Sequence, residues 1–252
     1  RLPFKSWKQE LTFAAAGLTG MTLYYLMENI ALTYSQASNV GVIVSIAPVF
    51  TAITAHIFLK EEGKLRPAFF MGCVIALIGI SLISFSGTTM HLNPIGDLLS
   101  VGGAIIWSFY SVLSKKIGSF GYSVVQATRR TFFYGILFMI PALFIFDFKW
   151  DLIRFATPAY LFNIFYLGLG ASAICFVTWN MAVRILGAIK TSVYIYLAPV
   201  VTAVTSVIIL HEKITFLSGL GILLVVGGLL LSEQKKKFFS IRGRKQAENV
   251  IE

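Results

Sequence analysis

Residues 29–61, NIALTYSQASNVGVIVSIAPVFTAITAHIFLKE, return as residues 180–212, NMAVRILGAIKTSVYIYLAPVVTAVTSVIILHE, at a constant offset of 151. The identities include Asn29/Asn180, Ala47/Ala198, Pro48/Pro199, Thr51/Thr202, Thr54/Thr205 and Glu61/Glu212. After a two-residue gap the match continues through Gly72/Gly221 and Gly79/Gly228. A proline, two threonines and a glutamate held at one spacing inside two apolar runs predict a chain built from two homologous halves.

Composition sets the solvent. Hydrophobic residues make up 57% of the 252-residue chain and charged residues 13%, against about 25% charged in a soluble domain. So little charge cannot coat a globule of this length, and the expectation is an all-α integral membrane protein. The net charge of +10 does not point to nucleic acid, because the basic residues form short clusters between apolar runs rather than one face. Cys73 and Cys175 fall inside apolar runs and read as inert thiols. His56, His91 and His211 are far apart, and no metal-ligand spacing exists. Neither a metal nor a cofactor is expected.

Apolar runs able to cross the hydrocarbon, roughly 20 residues each, fall at about 11–33, 38–59, 67–86, 94–114, 129–147, 158–181, 189–210 and 215–232. Continuous runs with glycine and no strict alternation predict eight transmembrane helices. With Arg1–Glu10 inside, eighteen Lys and Arg fall on cytoplasmic segments. Only Lys149, Arg154 and Lys213 fall outside. The positive-inside bias therefore predicts a plasma-membrane protein with both ends of this chain cytoplasmic. The run 38–59 then crosses outward-to-inward and its copy 189–210 inward-to-outward. An inverted repeat supplies two pseudo-equivalent conformations, one open to each side, which is the basis of alternating access by a transporter.

The helix count is uneven. Residues 88–233 hold five runs and residues 1–87 only three, with 234–252 a basic cytoplasmic tail. The expectation is a first repeat lacking two helices, about 60 residues with loops. The segments Ala47–Glu61 and Ala198–Glu212, each followed by a glycine-containing span, and Gly96–Lys116 resemble the EamA-type permeases of the drug/metabolite transporter superfamily. The resemblance covers the chain up to Lys235. It implies ten helices in a five-plus-five inverted-repeat bundle around a central cavity, and it names no substrate.

Candidate site residues follow from what is unusual in apolar helices. Pro48 and Pro199 lie near the middle of their runs, where a proline removes the donor to the carbonyl four residues earlier, Val44 and Ile195. Each is read as a hinge or kink, with freed carbonyls facing a cavity or with Thr51 and Thr202 satisfying the backbone. Glu28 is the one carboxylate well inside a run. Gly17, Met21, Tyr24 and Glu28 are expected on one helical face. Glu28 reads either as a contact for a substrate amine or a coupling proton, or as a group reaching interfacial water. Ser100, Gly103, Trp107, Tyr110, Ser111 and Ser114 form a polar, aromatic stripe suited to a wet cavity or to interhelical hydrogen bonds. Tyr194 and Tyr196 flank the second proline. Trp179 reads as an interfacial belt aromatic, Asn29 and Asn180 as structural, and Arg129 and Arg130 as positive-inside anchors. The spacings Ala16…Gly20, Gly72…Ala76, Gly168…Ser172 and Gly228…Ser232 allow close helix approach.

A membrane enzyme would need clustered nucleophiles, bases or metal ligands, and this chain shows none. The expected function is transport, in the efflux direction by family resemblance, of small organic metabolites such as amino acids. The partners are a small-molecule solute and membrane lipid, with any homo-oligomer unspecified. The alternatives are an inactive or partner-dependent membrane fragment and a flippase of lipid-linked substrates with the same fold.

Overall fold

A computed structural model describes residues 6–59, 66–85, 93–146, 156–210 and 215–233. The basic tail 234–252, Glu61, Glu212 and the three basic residues assigned outside, Lys149, Arg154 and Lys213, lie beyond the described residues. The described residues form eight helical rods: α1 (7–34), α2 (Ala37–Phe58), α3 (Pro67–Ser84), α4 (Pro94–Gly118), α5 (Val124–Ile145), α6 (Pro158–Leu186), α7 (188–210) and α8 (Phe216–Glu233). Seven of these, all but α1, contain a stretch long and apolar enough to cross a membrane. The α1 rod carries Lys8, Gln9, Glu10 and Glu28. The chain is an all-α, multi-pass membrane bundle.

Local chemistry starts and stops the rods. Ser6, Asn93 and Ser123 cap α1, α4 and α5, each side chain accepting from a backbone N–H in the first turn. Pro67, Pro94 and Pro158 occupy the first helical position of α3, α4 and α6, where a missing N–H costs nothing. Gly187 alone links α6 to α7, at φ 94°, which a residue with a Cβ rarely adopts.

Two departures from regular helix recur at matched positions. In α2, helix Ala37–Val44 ends at Ser45 and a new helix begins at Ala47, so Pro48 sits in a first turn rather than within a continuous helix. In α7 a 3-10 turn, Tyr194–Tyr196, precedes the helix Leu197–Leu210 that carries Pro199. Breaking the rod removes the steric conflict that a mid-helix proline creates. The second departure is π-helix at Leu18–Leu23 in α1 and Tyr166–Ile174 in α6, which coincide under the 151-residue offset over 18–23 and 169–174.

The tightest contact is between α3 and α8. A Cβ at Gly72 would lie 2.5 Å from the Gly228 carbonyl, and one at Gly79 would lie 2.6 Å from the Gly221 carbonyl. Gly72 and Gly221 are sequence counterparts, as are Gly79 and Gly228. Each glycine thus faces the counterpart of the other, which a twofold axis in the membrane plane requires of an inverted repeat. Ala76 and Ser232 complete the seam as their spacing predicts, whereas Gly168 on α6 faces open space among the described residues.

Two cores flank this seam. One gathers Ala52, Phe69, Cys73, Ile80, Tyr196 and Val225 from α2, α3, α7 and α8. The other gathers Phe13, Ala16, Tyr110, Ile117, Ala127 and Phe176 from α1, α4, α5 and α6. Thr54 joins them by donating to Ser108 Oγ at 3.0 Å, and it also contacts the Phe50 carbonyl. The seam yields a stability prediction. Gly228→Val should destabilise the protein by about 1–3 kcal/mol through forced separation of α3 and α8. Gly227→Val, one position round the same helix with nothing within 4 Å of its Cβ, should leave the unfolding midpoint in detergent unchanged.

Candidate functional site

The π-turn of α1 determines what its second half presents. A π-turn uses more residues per turn than an α-turn, so residues beyond it rotate away from those before it. Gly17 and Met21 face α5: a Cβ at Gly17 would meet the Thr131 carbonyl, and Met21 packs on Gly135. Tyr24 instead turns to α4, its ring 4.8 Å from that of Trp107. The expected single face of Gly17, Met21, Tyr24 and Glu28 is therefore split in two. The Thr22 hydroxyl ties the turn to α5 by donating to the Gly135 carbonyl at 3.0 Å.

Beyond the turn, the Tyr24 hydroxyl donates to Glu28 Oε1 at 3.1 Å. Glu28 lies on the wall of a cavity of about 710 Å³ between the ends of α1, α2, α3, α7 and α8. That volume is in the range of small-molecule sites, about 300–1,000 Å³. Val44, Ile195 and Pro199 share the wall, so residues beside both helix breaks border it. Thr202 satisfies its own turn by donating to Ala198 O at 3.0 Å. Its counterpart Thr51 is buried, and its hydroxyl has no partner among the described residues.

The remaining candidates lie behind this wall. Trp107 sits at the centre of an aromatic cluster, its ring 5.1 Å from Tyr110, 5.2 Å from Trp179 and 5.8 Å from Phe176. Trp179, read as an interfacial aromatic, thus packs inside the bundle. The indole nitrogens of Trp107 and Trp179 are buried without a hydrogen-bond partner among the described residues. Ser111 is buried and donates to the Trp107 carbonyl of its own helix at 3.0 Å. The polar stripe of α4 faces packed helices in this conformation rather than a wet cavity. Tyr196 is buried in the α3–α7–α8 core, and Tyr194 is partly exposed beside Glu233 at the end of α8. The structure therefore brings Tyr24, Glu28, Trp107 and Tyr110 together. Of the seven candidates only Glu28 lines the cavity; Ser111, Tyr194 and Tyr196 stand apart from that group as well.

The opposite end of the bundle, which the positive-inside count assigns to the cytoplasm, is closed by polar contacts. Asn180 Oδ1 accepts from Tyr110 at 2.7 Å and Ser114 at 2.6 Å, while its amide donates to Thr128 Oγ1 at 2.9 Å. One asparagine thereby ties α4, α5 and α6 together. Its counterpart Asn29 is exposed and donates only along its own helix, to Tyr25 O at 2.7 Å. Below the node, Lys115 donates to Arg184 O, Arg184 to Tyr122 O and the Tyr122 hydroxyl to Gln9. The space left between Tyr110, Asn180 and Arg184 is only about 20 Å³.

Two carboxylates of α1 meet opposite fates. Glu10 is paired with Arg130, at 2.6 Å and 3.0 Å, and accepts from the Tyr134 hydroxyl at 2.6 Å. Sequence reasoning took Arg130 as an anchor only; a partner 120 positions away leaves no local signal. Glu28 has no basic partner among the described residues. Its carboxylate, near the end of α1, accepts from the Tyr24 hydroxyl and faces the cavity. Among the described residues, no group of three His, Cys, Asp or Glu stands close enough to hold a metal.

This bundle, with its broken helices at matched prolines around one cavity, has relatives. The profile of the EamA-like transporter family matches residues 1–85 and 94–233. The chain belongs to the EamA-like transporter family. An uncharacterized transporter of Archaeoglobus fulgidus is 26% identical over 234 residues, spanning 92% of this chain and 78% of that one. Uncharacterized transporter YvbV of Bacillus subtilis is 27% identical over 231 residues, spanning 89% and 72%. A protein named as a probable terminal-alkyne amino-acid exporter of Streptantibioticus cattleyicolor is 26% identical over 222 residues, spanning 88% and 72%. One solved crystal structure shares the fold at a TM-score of 0.71, with 20% identity, over 91% of this chain and 76% of that one.

The Glu10–Arg130 pair carries its own prediction. Arg130→Met should destabilise this EamA-family protein by about 3–5 kcal/mol, because it strands a buried carboxylate. Adding Glu10→Gln should recover part of that loss. Unfolding titrations in detergent measure both, and a single variant as stable as wild type would show the pair to be dispensable.

Proposed function

We propose that this EamA-family protein exports small organic metabolites, amino acids among them, from the cytoplasm by alternating access. The observation that carries the reading is the contrast between the bundle's two ends. A cavity of about 710 Å³ stands open at the Glu28 end, while only about 20 Å³ remains at the Asn180 end. Taking both ends of this chain as cytoplasmic and α1 as an eighth crossing, we read this conformation as outward-facing. Pro48 and Pro199 mark breaks at which α2 and α7 can change angle. In this reading Glu28 lines the open cavity, and Tyr24, Trp107, Tyr110 and Ser111 join the solute path when the packed α4 stripe opens, with Tyr194 and Tyr196 beside the second hinge. Export to the inward-facing state requires the contacts of Asn180 to open. The printed name of the Streptantibioticus cattleyicolor relative supports an amino-acid-like solute.

A labelling experiment checks orientation and mechanism together. In a chain with Cys73 and Cys175 replaced, Ser38→Cys and Ser218→Cys at the cavity should react with a membrane-impermeant maleimide added outside intact cells. Ser114→Cys, behind the closed end, should not. Adding Asn180→Ala should shift the balance, slowing labelling at position 38 several-fold. Reaction at position 114 and not at 38 or 218 would reverse the proposed orientation. Rates indifferent to Asn180→Ala would remove that node from the gate.

A further inference from the structure

The cavity wall carries charge of one sign only among the described residues, and that asymmetry specifies a ligand. Its one charged side chain among the described residues is the Glu28 carboxylate, and no cationic side chain lines it. The hydroxyls of Ser45 and Thr202 spend their protons on their own helices, donating to Gly41 O at 2.7 Å and Ala198 O at 3.0 Å. What they turn to a ligand is oxygen lone pairs. Val44 and Ile195, beside the two helix breaks, also border the cavity. Leu32, Val40, Ile80 and Ile83 give the wall apolar surface, and the hydroxyls of Ser38, Ser84, Thr215 and Ser218 line it as well.

A protonated amine fits this surface. An ammonium offers three donors and one positive charge to a wall with one carboxylate and the lone pairs of several hydroxyl oxygens. A free carboxylate on the same solute would face the Glu28 charge and no cationic side chain among the described residues. The two unpaired donors nearby, the indole N–H groups of Trp107 and Trp179, are fully covered and do not border the cavity. We propose that the outward-facing cavity recognises a monocationic amine with an apolar body, held at Glu28, and discriminates against solutes that keep a free carboxylate. The proposal rests on the transport reading and narrows its solute class from amino acids to amines and carboxyl-blocked amino-acid derivatives. Tyr24 acts as a positioning residue, fixing the Glu28 carboxylate through its hydroxyl at 3.1 Å.

Three matched probes test it: phenethylamine, phenylalanine methyl ester and phenylalanine, which share the ring and amine and differ at the carboxyl. Equilibrium dialysis with the purified full chain in detergent should show the first two bound at least tenfold more tightly than the third. Glu28→Gln should lower amine affinity at least tenfold, and Glu28→Asp should keep the order of the three. Phenylalanine bound as tightly as phenethylamine, affinities unchanged in Glu28→Gln, or no binding of any probe would each overturn the amine assignment. Preference for phenylalanine would place the two indole donors in the site. The transport reading is judged apart from this, by the maleimide labelling, which needs no probe ligand.

Discussion

The backbones of α3 and α8 touch at Gly72–Gly228 and Gly79–Gly221, and the geometry of the bundle depends on that contact. Helices in lipid gain nothing from the hydrophobic effect when they associate, so close packing must supply the attraction. A Cβ at any of the four positions would fall within 2.6 Å of backbone from the other helix. The four glycines therefore allow an approach no other residue permits. Because each faces the counterpart of the other, the seam also places the pseudo-twofold axis. Once α3 and α8 are fixed, α2 and α7 are held against them through Ala52, Tyr196 and their neighbours. The cavity occupies the space left where their upper halves diverge.

The two halves differ in detail. Asn29 and Asn180 are counterparts, yet one spends its amide on its own helix and the other ties three helices. Thr202 bonds back to Ala198 while Thr51 is buried without a partner among the described residues. If the two repeats exchange conformations as the bundle inverts, such differences are the features expected to trade places.

Much of this was legible in the sequence, because the repeat and the hydrocarbon thickness constrain it independently. The run read at 94–114 forms the helix Pro94–Gly118, and that at 158–181 forms Pro158–Leu186. The spacing Gly72…Ala76 and Gly228…Ser232 announced the seam. Two features left no trace. A π-turn changes which residues share a face without changing hydropathy, so Gly17 and Met21 parted from Tyr24 and Glu28. A pairing such as Glu10–Arg130 depends on how α1 and α5 pack, which no local pattern encodes. The prolines were visible as interruptions, but a kink and a clean break read alike until the backbone is seen.

The two carboxylates of α1 show how one helix can carry both structure and chemistry. Glu10 is neutralised by a bidentate guanidinium and a phenol, so its charge is internal and nothing outside the protein can change it cheaply. Glu28 receives one hydrogen bond, from Tyr24, and opens onto a cavity otherwise free of charge among the described residues. Buried charges are tolerated when paired. A charge left unpaired at the wall of a solute-sized cavity transfers that requirement to whatever enters. The same cost that makes ionisable residues rare in membrane helices becomes affinity for an ion of opposite sign. It is recovered only while the cavity holds one, which is how a transporter can couple solute occupancy to its change of state.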